Sequence, residues 1–195
     1  MAAETADTEL IDRVLRGDQQ AYALLVTRYQ SFVFTLALRY VKNREDAEEV
    51  AQDAFVKAYR ALPDFRGQSK FSTWLYTIAT TSALTRLRKK ELDTRSLDDD
   101  TVFARANTLD GGLSANTIEA KSRTELVTRA LRLLGPDDAH VLTLFYKGEQ
   151  SLEEIAAILG IEANAAKVRL HRARTRLKDK MNSHFAAEVR DLYQP

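Results

Sequence analysis

The chain has 195 residues, 45% hydrophobic and 29% charged, with a formal net charge of +1, three histidines and no cysteine. That length allows one or two modest hydrophobic cores, and the lack of cysteine excludes disulfides and thiolate metal sites. His140, His171 and His184 are scattered without metal-ligand or triad spacing, so no metal, no cofactor and no enzyme activity is expected.

No apolar run approaches the roughly 20 residues that span a bilayer. The N-terminus MAAETADTEL is acidic and has no apolar signal core. The expectation is a cytoplasmic protein without membrane insertion. With so small a net charge, affinity for nucleic acid must come from local segregation of charge.

Residues 8–91 show helix-compatible spacing, broken near Gly17–Asp18, Asn43–Arg44 and Pro63–Gly67, with almost no strand-type alternation. This predicts an all-helical N-terminal domain. A helix beginning near Asp46 places Ala47, Val50, Ala51, Ala54, Phe55 and Ala58 on one apolar face. Glu49, Gln52, Asp53 and Val56 fall opposite, and residues 44–53 carry one base against five acids. Acids near a helix start favour the macrodipole, which is the simple reading of this face. Val56 beside carboxylates supplies the other reading, a protein-binding surface.

Residues 63–90, PDFRGQSKFSTWLYTIATTSALTRLRKK, join a glycine-containing loop to an aromatic-rich helix that ends in Arg86, Arg88, Lys89 and Lys90. Rings interleaved with cations suit single-stranded nucleic acid, because bases stack on the rings while phosphates follow the charges. Core filling competes with that reading and is favoured for Phe71, Trp74 and Leu75. The loop Arg66–Lys70 is read as a nucleic-acid contact.

Between about residues 92 and 116 the pattern dissolves into Asp, Thr, Ser and Asn around Gly111–Gly112, the chemistry of a linker that is mobile in the free protein. Helical spacing resumes at Ile118 with Leu126, Ala130, Leu133 and Leu134 on one face. It breaks at Gly135–Pro136 and resumes at Ala139–Tyr146.

Ser151–Lys180 then reads as a helix, a turn and a second, cationic helix. Ser151 and Glu154 have the spacing of a capping box, Ile155, Ala156 and Leu159 form an apolar face, and Gly160 suits a left-handed helix end. In the second helix Ala166, Leu170, Ala173 and Leu177 share one narrow stripe that should be buried. Around it stand seven cations against one acid, Asp179. A solvated cationic face is one reading; its place after a capped helix and a tight turn favours the other, a helix-turn-helix meeting duplex DNA.

In this order GDQQAYALLVTRYQSFVFTLALRYVKNREDAEEVAQDAFVKAYRAL, FRGQSKFSTWLYTIA, SLEEIAAILGI and AAKVRLHRARTRL resemble the two conserved domains of bacterial extracytoplasmic-function (ECF) sigma factors. The resemblance implies an all-α fold of two small helical domains. A sigma region 2 bundle would occupy residues 1–91 and a sigma region 4 helix-turn-helix residues 118–180. A flexible linker, 92–117, would join them, and a tail, 181–195, would follow.

The partners implied are the RNA polymerase core, through the clamp helices of its large subunit, promoter DNA, and an anti-sigma protein. Glu49, Gln52 and Asp53 would contact polymerase. Phe65, Arg66, Gly67, Gln68, Ser69, Lys70 and Phe71 would hold an unstacked base of the -10 element, and Thr81, Thr85 and Arg88 would approach the same strand. Lys167, Val168, His171 and Arg172 would read the -35 element, and their spacing places them away from the buried stripe.

The family commonly carries Arg, Asn and Asp or Asn where this chain has Thr77, Thr81 and Thr85, so the usual polar pattern of the -10 helix is absent. It often carries Leu-Pro and then an Arg where this chain has Gly135–Pro136 and His140, a local variation. The alternative function is a sigma-mimic decoy that binds an anti-sigma protein without promoter recognition. The cationic recognition helix and the basic Arg86–Lys90 cluster weigh against it. A stand-alone repressor would need a dimer interface, and none stands out.

Overall fold

The computed structural model describes residues 6–95, 118–186, 188 and 190. The expected linker beyond residue 95 therefore lies outside the described residues. Among those described, all regular structure is helical, as the sequence predicts.

The first domain contains α1 (Asp7–Leu15), α2 (Gln19–Val41), α3 (Arg44–Ala61) and α4 (Phe71–Arg95). Local chemistry sets their limits. Gly17 takes φ +99°, a conformation that costs glycine little. Asp18 then caps α2, accepting the backbone N–H groups of Gln20 at 3.0 Å and Ala21 at 3.2 Å while holding Arg13 at 2.8 Å. Asn43 caps α3 by accepting from the Asp46 N–H at 3.0 Å. A 3-10 turn, Leu62–Asp64, closes α3. α4 runs to Arg95, past the expected domain end at residue 91.

α2, α3 and α4 pack on one another around Leu25, Val33, Leu36, Leu62 and Leu75, each essentially without solvent contact. Burial of each such side chain is worth about 1.5–3 kcal/mol. Ala47, Ala54, Ala58, Ala79 and Ala83 are fully buried, and side chains this small let the helices approach closely. α1 covers one end, pinned by Asp7, which accepts hydrogen bonds from Arg28 and the Tyr29 hydroxyl.

By length and composition α2 could cross a membrane, which run length in the sequence did not suggest. Here it is the central helix of the domain, and Leu25, Phe32, Val33, Leu36 and Tyr40 are buried in the protein's own core.

The second domain contains α5 (Ile118–Arg132), α6 (Pro136–Tyr146), α7 (Leu152–Leu159) and α8 (Ala163–His184). Pro136 opens α6, where its missing N–H costs nothing. α6, α7 and α8 bury Val141, Leu144, Ile155, Ile158, Ala166, Leu170 and Ala173. α5 lies along the far half of α8, with Leu126 and Ala130 against Phe185 and the Arg129 guanidinium 4.7 Å from that ring. The expected tail after residue 180 is thus helical to His184, and Phe185 is 6% exposed.

The two domains dock, α6 on α2 and α7 on α4. The Thr73 hydroxyl donates to Gln150 Oε1 at 3.0 Å, Arg39 Nε donates to the Thr143 hydroxyl at 3.1 Å, and Lys147 Nζ donates to the Thr35 hydroxyl at 3.1 Å. Thr80 Oγ1 lies 3.1 Å from His140 Nε2. At Gly148 the backbone passes so close to Phe32 that an added Cβ would sit 2.6 Å from its Cζ.

Candidate polymerase and nucleic-acid surfaces

Burying the alanine face of α3 turns Glu49, Gln52 and Asp53 to solvent, with Val56 47% and Tyr59 43% exposed beside them. Tyr59 stacks edge-on to Tyr22 with 4.8 Å between centroids. Asp53 pairs with Lys57 along its own helix at 2.6 Å. Glu49 is not free: Arg86 of α4 reaches it at 2.8 Å and also reaches Asp46 at 2.7 Å. Lys90 adds a 3.0 Å bond to Asp46. The Arg86 hydrogen bond foremost, then Lys90, outweighs burial and holds the Asp46 carboxyl below the usual aspartate range.

This pairing corrects the reading of residues 86–90 as one cationic cluster facing DNA. Arg86 and Lys90 are tied to α3, while Arg88 and Lys89 are exposed. Spacing held the signal: Arg86 and Lys90 are four residues apart on one helix face, and Asp46 and Glu49 three apart on another.

The loop before α4 has an aromatic floor and a polar rim. Phe65, Phe71 and Trp74 form a triangle with centroids 5.0 to 6.0 Å apart. Phe65 and Trp74 are half-buried, whereas Phe71 is 4% exposed and packs on Tyr29 at 5.6 Å. Phe71 is therefore floor and not contact surface, since its ring fills the domain core. Arg66, Gly67, Gln68, Ser69 and Lys70 are exposed, and Gly67 turns the chain at φ +66°.

Along α4, Thr81, Thr85 and Arg88 are exposed. The hydroxyls of Thr77, Thr81 and Thr85 each donate to the backbone carbonyl four residues earlier at 2.9 Å. With the donor spent, these positions offer only acceptor lone pairs to a neighbour.

In the helix-turn-helix, the Ser151 hydroxyl accepts from the Glu154 N–H at 3.2 Å and the Glu154 carboxylate accepts from the Ser151 N–H at 2.8 Å, a complete capping box. Gly160 ends α7 at φ +63°. Glu154 also receives Lys70 of the loop at 3.0 Å and the Thr73 hydroxyl at 3.4 Å. Burial alone would raise its pKa; the Ser151 N–H and Lys70 prevail and hold it below the usual range.

On α8 the stripe is buried at Ala166, Leu170 and Ala173, each at 3% exposure or less, and only half-buried at Leu177. Lys167, Val168, His171 and Arg172 all face solvent. Val168 and Arg172 also line a groove with Gly135, Pro136, Asp137 and Asn164, where the start of α6 meets α8. Two exposed cations of the helix are also engaged within the domain. Arg176 binds Asp138 at 2.6 Å, and Arg174 lies 4.8 Å from the Phe145 ring and 5.3 Å from that of Tyr146. These two positions fix α8 to α6. Among the described residues no group of histidines and acids has the arrangement of a metal site.

Two family models match the chain: Sigma-70 region 2 over residues 25–92 and Sigma-70, region 4 over residues 124–177. The RNA polymerase sigma-H factor of Pseudomonas aeruginosa is 36% identical over 181 residues, 89% of this chain and 93% of that one. The ECF RNA polymerase sigma-E factor of Escherichia coli is 37% identical over 186 residues, 93% of this chain and 97% of that one. Among solved structures, CnrH in complex with the cytosolic domain of CnrY aligns at a TM-score of 0.66 and 26% identity over 92% of this chain and 99% of that one. The sigma factor RpoE from Bartonella quintana, solved with the anti-sigma factor NepR, shares the fold at a TM-score of 0.68 over 84% of this chain and 98% of that one. The chain belongs to the ECF family of RNA polymerase sigma factors.

Proposed function

We propose that the chain directs promoter-specific transcription initiation in the cytoplasm by binding the polymerase core and two promoter elements. Glu49, Gln52 and Asp53 of α3 meet the clamp helices of the large subunit, with Val56 and Tyr59 as the apolar part of the same face. The loop Phe65–Lys70, over its aromatic floor, holds an unstacked base of the -10 element, and Thr81, Thr85 and Arg88 lie along the strand. Lys167, Val168, His171 and Arg172 read the -35 element.

The observation that carries this reading is the division of α8 into a buried alanine and leucine stripe and an exposed face of Lys167, Val168, His171 and Arg172. A recognition helix requires that division. Each DNA surface is small alone, and tethering both to polymerase makes the second contact nearly intramolecular. Capture of a flipped base favours the melted state by differential binding, since unstacking costs only a few kcal/mol. Nucleotidyl transfer belongs to the polymerase, and an anti-sigma protein would act by covering these surfaces.

Run-off transcription with purified core and a genomic fragment library tests the reading. It predicts transcripts from promoters that share -35 and -10 sequences. Binding to core without promoter-dependent transcripts would favour the decoy.

A further inference from the structure

The docked arrangement cannot serve both promoter elements at once. Elements centred at -35 and -10 lie about 25 base pairs apart, about 85 Å of duplex at about 3.4 Å per step. Here the -10 loop touches the first helix of the helix-turn-helix, with Lys70 and Glu154 at 3.0 Å. α8, about 33 Å long, follows directly after the turn at Gly160. The domains must part before the chain can read a promoter.

His140 sits where they join. Its ring is on α6, fully buried, 4.6 Å from the Tyr40 ring of α2, with Nε2 3.1 Å from the Thr80 hydroxyl of α4. Nδ1 is buried without a hydrogen-bond partner. A protonated ring carries an N–H on both nitrogens, so one would point at nothing.

The charges around the ring also oppose protonation. Arg39 of α2 and Arg169 of α8 both act on it as cations, and burial with those two neighbours pushes its pKa down to about 3. Arg132 of α5 and Lys147 crowd Arg39 with more positive charge. Asp137 of α6 acts on the Tyr40 phenol, and Asp138 is taken by Arg176. Thr80 is neutral. Tyr40 and Thr80 both belong to the first domain, so parting the domains uncovers the ring.

We infer that the docked form is an autoinhibited state clasped around neutral His140, and that protonation of this residue opens it. Its consequence for promoters rests on the proposed reading of the -10 loop; the clasp itself does not. A group whose pKa is depressed in the docked form favours docking only while it is neutral. With an ordinary value near 6.5 in the open form, the docked-to-open ratio falls about tenfold per pH unit below about 6.5. Glu154 already titrates below the usual glutamate range. His171 and His184 lie on exposed faces of α8.

The chain has no cysteine, so Gln20→Cys and Asn182→Cys, one exposed site in each domain, accept a donor and acceptor dye cleanly. In the full chain, energy transfer should be high at pH 7.5 and fall between pH 6.5 and 5.0 with circular dichroism unchanged. H140L and H140Q should lose that fall, and H140K should be open at every pH with full helicity. Constant transfer in the unsubstituted labelled chain, or a fall of equal size in both neutral variants, would overturn the clasp. No DNA or polymerase enters this measurement, so failure of the promoter reading would show only in transcription.

Discussion

Glu154 and Lys70 form a 3.0 Å ion pair across the domain interface, between the helix-turn-helix and the loop assigned to the -10 element. The same carboxylate completes the Ser151 capping box and accepts from Thr73. One side chain therefore stabilises a helix start, links the domains and pairs with a cation proposed to meet DNA.

These roles separate by substitution. Glutamine can replace glutamate in a capping box, so E154Q keeps the cap and removes the charge. Lys70 is 68% exposed, which limits the pair to about 0.2–1 kcal/mol. E154Q should weaken docking by no more than that, read as lower energy transfer between the labelled domains. E154A should in addition lower the melting temperature through loss of the cap, worth about 1 kcal/mol. Equal melting temperatures for E154A and E154Q would show that the cap contributes nothing.

The Arg86 bridge predicts a pH-dependent stability difference. Asp46 is titrated below its ordinary 3.8 chiefly by Arg86. Its contribution is thus complete above that value and lost as pH falls through the depressed one. Urea unfolding of R86M should show a loss of about 1–2 kcal/mol at pH 7. The gap from the unsubstituted chain should narrow below pH 3.8. A gap independent of pH from 7 to 3 would assign the loss to packing of the Arg86 stem.

Polymerase binding should depend on Asp53 and Gln52 more cleanly than on Glu49, because the Glu49 ion pair ties α3 to α4 through Arg86, whereas Asp53 pairs with Lys57 along its own helix. D53K should weaken capture of core at least tenfold while leaving the circular dichroism spectrum unchanged. E49K should weaken capture too, but with some loss of stability, since it sets a third cation beside Arg86 and Lys90. Undiminished capture by a D53K/E49K double variant would remove this face from the polymerase interface.

Legibility in the sequence followed range. Gly17, Asp18, Asn43, Ser151, Glu154 and Gly160 act within a few residues, and helix limits and caps were readable from them. The α3 and α8 faces were also readable, because burial of Ala54 or Leu170 follows a 3.6-residue period. His140 was not, and it stood in the sequence as a local variation. Its partners Thr80 and Tyr40 lie in another domain, and polar pairs across an interface leave no periodic trace. The tie of Arg86 to Asp46 was missed because a cation followed by more cations looks alike whether it faces solvent or a carboxylate on the next helix. Phe71 shows the converse, since its burial agreed with an aromatic-rich core and argued against its place in the base-contact loop.

The most direct measurement is run-off transcription by holoenzyme with each -35 base varied in turn, comparing K167A, R172A and L170A. R172A should relax preference at one -35 position by about 1–3 kcal/mol. K167A, as a phosphate contact, should lower output from every promoter alike and reduce the salt slope by about one unit. L170A should instead unfold the second domain, losing about 2–5 kcal/mol by opening a cavity in the α8 stripe. That pattern is what the account predicts; unchanged output from every promoter with both K167A and R172A would show that α8 does not read DNA and would contradict it.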